Sequence, residues 1–111
     1  MREIELSIEG TGAEEAAQEL VSIKGLIGHW QLEDEESGQE GLVTTQATIV
    51  GITSSPHEIA ESIRAWHLGW KKGKQGKRLK KVLLLSQEGH PLLLDKVSVD
   101  RVSHLLKQID E

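Results

Sequence analysis

The chain has no cysteine, no phenylalanine and no tyrosine, and its only aromatic rings of that kind are three tryptophans. Without thiols there are no disulfides, no thiolate zinc or iron–sulfur ligation and no cysteine nucleophile. No run of about 18 apolar residues occurs that would make a transmembrane helix. The acidic start MREIELSIEG lacks the basic region and apolar core of a secretory signal. A soluble, cytoplasmic protein with no membrane partner is therefore expected. Phosphate-binding signatures are absent too. There is no Gly-x-Gly-x-x-Gly, and in the lysine-rich tract Gly73 and Gly76 stand too close for a Walker loop, with Lys77 followed by Arg78 instead of serine or threonine. The five histidines, His29, His57, His67, His90 and His104, show no metal-site spacing of the His-x-x-x-His or His-x-His kind. Catalytic residues, cofactors and metal ligands are accordingly expected to be none.

What is present fits one ordinary domain. A chain of 111 residues, 37% apolar and 28% charged, builds a single core spanning 1–111. The net charge of −5 conceals an asymmetry: residues 1–60 carry twelve acids against Arg2 and Lys24, whereas residues 61–111 carry eleven bases against six acids. Seven of those bases crowd into Lys71, Lys72, Lys74, Lys77, Arg78, Lys80 and Lys81. Such a tract is either a solvated loop or a phosphate-backbone site on which the adjoining Trp70 would stack a base. The acidic Glu33-Asp34-Glu35-Glu36 lacks the alternating ligands and glycine of a calcium loop. Set against the basic tract of a second copy, it would give a salt-sensitive homo-oligomer.

Along the chain, residues 3–9 alternate polar and apolar, the period of a strand that buries Ile4, Leu6 and Ile8. Thr11 followed by Glu14 fits a capping box, and an apolar stripe from Ala13 to Ile27 predicts a first helix. Residues 29–33 read as a short strand, 35–41 as an exposed connection and 42–51, rich in β-branched residues, as a second strand of a hairpin. Ser55-Pro56 with Glu58 caps a second helix whose Ile59, Ile63, Trp66 and Trp70 share one face. Apolar runs 82–85 and 92–94 flank Gly89-His90-Pro91, predicting a hairpin of strands covered on both faces. Ser98 caps a last helix carrying Val99, Val102, Leu105, Leu106 and Ile109. The order β-α-β-β-α-β-β-α implies an α+β fold: a ferredoxin-like β-α-β-β-α-β sheet with two covering helices, extended by a C-terminal β-hairpin strand and helix.

Trp66 and Trp70 continue a core stripe, and tryptophan is also the residue most enriched at binding hot spots. They are grouped with the seven basic residues as the expected binding site. His57 and Glu61 lie one helical turn apart, a geometry that orients an imidazole, but no motif places a nucleophile beside them. The expected protein is not an enzyme.

REIELSIEG, AEEAAQELVSIKGLIG, SIRAWHLGWKK with its basic turn, and KVLLLSQEGHPLLLDKVSVDRVSHLLKQI together resemble the effector-associated constant component domains of bacterial conflict systems, over nearly the whole chain. Ser62, Trp66, Lys71 and Lys72 are the positions that match the family's serine, tryptophan and arginine pattern. The resemblance implies a small adaptor of bacterial immunity that binds an effector or regulatory protein such as a peptidase, nuclease or NTPase, and it carries over no catalytic residue. The alternative function is a nucleic-acid-binding module that uses a basic loop at 71–81.

Overall fold

A computed structural model describes residues 3–35, 42–86 and 90–109, the side chains of Asp34 and Glu35 excepted. The elements are β1 (Ile4–Gly10), α1 (Ala13–Val21), β2 (Leu26–Glu35), β3 (Val43–Ile52), α2 (Pro56–Lys72), β4 (Leu79–Leu85), β5 (Leu92–Leu93), a 3-10 turn (Leu94–Lys96) and α3 (Val99–Ile109). The strands form one five-stranded antiparallel sheet in the order β2-β3-β1-β4-β5. Among the described residues no helix is long and apolar enough to cross a membrane.

The period-2 pattern of β1 decides which side of the sheet is covered. Ile4, Leu6 and Ile8 are buried and stand opposite Ile49, Ala47 and Thr45 of β3, while Leu84 and Val82 of β4 flank Leu6 and Ile8 from the other side. Glu5, Ser7 and Glu9, on the opposite face, are half-exposed. α1 lies against β2 and β3, α3 against β1 and β3, and α2 packs chiefly on α3 with a smaller contact to β4. Thr45 ties the first of these packings: its hydroxyl is buried and donates to the Ala13 carbonyl at the start of α1.

Several sequence expectations are corrected by tertiary pairing. The first helix stops at Val21, not Ile27. The N–H groups of Ser22 and Ile23 tighten the last turn by donating to Glu19 and Leu20 carbonyls, and Gly25, at φ +91°, turns the chain so that Leu26 and Ile27 pair with Ile52 and Gly51. The helical stripe thus ends where a ladder of ten strand residues begins. Thr11 does not cap α1. The residue before the helix is Gly12, which makes no side-chain cap, and Thr11 instead accepts from the Arg78 N–H at 3.1 Å.

The tract 71–81 is not one loop. Lys71 and Lys72 end α2, where cations suit the helix dipole, and Lys80 and Lys81 belong to β4. Between them Lys74-Gln75-Gly76-Lys77 forms a tight turn in which Lys74 and Lys77 exchange both backbone hydrogen bonds and the two central residues have φ of +52° and +81°. β5 contains only Leu92 and Leu93, and Leu94 begins the 3-10 turn. The β4–β5 pair is covered on one face alone, since Leu83 and Leu85 are half-exposed and Leu93 is exposed. Residues 36–41 and 87–89, which contain most of the predicted exposed connection and part of the last hairpin turn, lie outside the described residues.

The capping predictions at the other helices match the geometry. Ser55 accepts from the Glu58 N–H at 3.4 Å with Pro56 at the first helical position, and Ser98 accepts from the Arg101 N–H at 3.1 Å.

Candidate functional site

The acidic and basic halves of the sequence meet within one molecule. Lys77 Nζ lies 2.6 Å from Glu15 Oε2, Lys74 Nζ 2.9 Å from Glu19 Oε1 and Lys80 Nζ 3.6 Å from Glu9 Oε1, while within the basic half Lys71 Nζ lies 3.1 Å from Asp95 Oδ1. The hydrogen bond from Lys77 holds the Glu15 carboxyl below its ordinary range. Lys72, Arg78 and Lys81 make no ion pair among the described residues.

Both helix-two tryptophans are core residues. Trp66 is 5% exposed and its indole N–H donates to the Ala16 carbonyl at 2.8 Å, while Trp70 is 4% exposed and donates to Glu19 Oε2 at 3.2 Å. Lys74 sits over the Trp70 ring with its ammonium 5.1 Å from the centroid. The indoles therefore clamp α2 to α1 and present no face on which a base could stack. Of the nine expected site residues, the two tryptophans lie in the core, and the basic ones spread over the end of α2, the turn and β4.

The stripe of α2 beside the tryptophans forms a different feature. Ala60, Ile63, Leu94, Val97 and Val102 line a cleft of about 170 Å³ between α2, the 3-10 turn and α3, and Arg64, Lys71 and Asp95 stand among its walls. His67 is shared with a second, smaller hollow of about 90 Å³ toward β4, walled partly by Leu79, Lys81 and Leu93. The imidazole is nearly enclosed, its side chain 10% exposed, with Nε2 3.5 Å from Asp95 Oδ1. Burial pushes its pKa below the usual histidine value; Asp95 opposes that shift, while Lys71 and Arg64 add to it. Asp95 therefore stands between a neutral ring and the Lys71 ammonium, at the boundary of the two hollows.

Sequence reasoning missed this cluster. The available signal was the spacing of Ala60, Ile63 and His67, which puts an imidazole on the buried stripe; Asp95 is brought beside it only by the turn after β5. His57 and Glu61 do pair, at 3.5 Å, but both are exposed and line neither hollow. His104 is exposed beside Gln108, and His29 and His90 are exposed. Among the described residues no group of three or more histidines, aspartates or glutamates is placed to hold a metal ion. Of the acidic stretch, Glu33 is exposed, and the side chains of residues 34–36 lie outside the described ones.

Compared with known protein families, curated proteins and solved structures, the chain matches none.

Proposed function

We propose that the chain is a non-enzymatic interaction domain of a bacterial conflict system, working in the cytoplasm and binding an effector or regulatory protein through α2 and the cleft beside it. The observation that carries this reading is the pairing of the basic tract with carboxylates of the same chain. Lys71, Lys74, Lys77 and Lys80 are each paired with a carboxylate of this same chain. Binding to a phosphate backbone draws its strength from cations that release counterions, with a salt slope near −0.9 for each phosphate neutralised. Within the tract, Lys72, Arg78 and Lys81 meet a phosphate without competition from a carboxylate of the chain, a slope of about −3 for those three, and each further contact has to displace an ion pair. A cleft that sets aliphatic side chains beside charged ones offers a protein segment both apolar and polar contacts.

The same reading takes β1 to β4 with α1 and α2 as a ferredoxin-like arrangement to which β5 and α3 are appended. The β2-β3-β1-β4 order and its antiparallel pairings support that assignment.

A pull-down from lysate of the source cells at moderate salt, with and without nuclease, tests the function. Retention of a peptidase, nuclease or NTPase after nuclease treatment is the expected result. Capture of nucleic acid alone, lost when Lys72, Arg78 and Lys81 are neutralised, would replace the reading with the nucleic-acid module.

A further inference from the structure

From the cleft and its rim we infer that the domain recognises an acidic, aliphatic peptide segment of its partner, with an aliphatic side chain entering between Ile63, Leu94 and Val102 and a carboxylate lying against Arg64 and Lys71. The inference rests on the protein-interaction reading and names the chemistry of its partner.

Three observations carry it. The cleft holds about 170 Å³, room for one branched side chain, and the aliphatic groups of Ala60, Ile63, Leu94, Val97 and Val102 line it together with the polar groups of Arg64, His67, Lys71 and Asp95. Leu68, on the same stripe of α2, lines the opening while 46% exposed. Leu68 so extends the aliphatic part of the cleft lining out to the surface.

The third observation is charge. Arg64 is exposed and has no ion pair among the described residues, although Lys71 is matched by Asp95. The rim therefore carries two full positive charges against one negative, with His67 held neutral by its burial. An incoming carboxylate meets the planar fork of Arg64 without displacing any existing partner. A basic segment would leave Arg64 unmatched and place its own charge beside Lys71.

The test uses nitrogen-15 labelled protein and three synthetic peptides: Gly-Ser-Glu-Leu-Glu-Gly-Ser, its counterpart with glutamine for both glutamates, and its counterpart with serine for leucine. The acidic leucine peptide is expected to move the amide signals of residues 63–68 and 97–102 at millimolar concentration or below. The other two should bind about fivefold more weakly, the scale of one partly exposed charge pair or one partly buried aliphatic group. Arg64→Glu and Leu68→Ser, both at exposed positions, should each weaken the acidic peptide, and Lys81→Glu, outside this cleft, should not. Equal binding of the acidic and amide peptides, shifts confined to another surface, or no shift with any peptide overturns the inference. If the pull-down partner is retained equally by Arg64→Glu, the cleft assignment falls while the interaction reading stands; if no protein partner is found at all, the reading itself falls.

Discussion

Lys77 Nζ and Glu15 Oε2 lie 2.6 Å apart although 62 residues separate them in sequence. This pair joins the basic turn to the first helix, and Glu19 repeats the contact one turn further along by binding Lys74 and the Trp70 indole together. The opposite charges of the two halves of the chain are thus used inside the fold. The acids that meet the basic tract within the molecule are Glu9, Glu15 and Glu19 of the first half, together with Asp95.

Glu15→Gln gives the corresponding acid signature. The folded carboxyl has a lowered pKa, so the unfolded chain takes up its proton first as the pH falls. The stabilisation is present above the unfolded value near 4.5 and is lost as the pH drops below it. Urea midpoints of the parent and Glu15→Gln should differ at pH 6 and converge toward acid. Because both side chains are substantially exposed, the difference is a few tenths of a kcal/mol and shrinks in 1 M salt. An unchanged difference down to pH 3 would show that the carboxylate is not its source.

Gly12→Ala tests the packing behind the turn. A Cβ at this position would stand 2.5 Å from Cζ3 of the Trp70 ring and 3.2 Å from Cβ of Lys77. The ring is buried and hydrogen-bonded to Glu19, so it has little freedom to retreat. A loss of about 1–3 kcal/mol is expected in chemical denaturation, the usual cost of overpacking. Gly76→Ala has nothing within 4 Å of the added methyl and serves as a control for backbone strain alone, since Gly76 has φ +81°.

Much of this fold was legible from periodicity. The alternation in β1, the stripes of α2 and α3, and the Ser55-Pro56 and Ser98 caps are local patterns, and each determines its own element. What could not be read was decided by partners distant in sequence. Ile27 continues a helical stripe in the sequence and became strand because β3 offered a ladder. Leu94 left the last strand for a 3-10 turn, which carried Asp95 to His67. The candidate cleft is a product of that displacement, so its residues carry no sequence motif. The tryptophans show the converse case, since their helical spacing was visible but their hydrogen bonds to Ala16 and Glu19 required the packing of α1.

Gln75→Asn should stabilise the chain. Gln75 has φ +52° in a two-residue turn whose second residue, Gly76, is also left-handed. Asparagine tolerates that conformation better than glutamine, and Asn-Gly is the preferred pair in turns with two positive φ values. A gain of about 0.5–1 kcal/mol in urea unfolding is expected, with no change in the denaturant slope. A loss of stability would mean that the Gln75 side chain contributes contacts beyond the turn conformation.

His67 makes stability fall on the acid side of neutrality. Its folded pKa lies below the ordinary 6.5, chiefly because the ring is buried, so between the two values the unfolded chain binds a proton that the folded one refuses. The neutral ring costs nothing above pH 6.5; below it, stability declines until the folded value is passed. His67→Gln, which keeps a polar group at the site, should flatten the urea midpoint between pH 7.5 and 5.5. Asp95→Asn acts in the opposite sense on the ring. Removing the nearby negative charge leaves burial, Lys71 and Arg64 to depress the pKa further, and histidine NMR should show His67 titrating at a lower pH than in the parent. An upward movement in Asp95→Asn would mean that solvent, rather than the apolar walls of the cleft, sets the protonation of the ring.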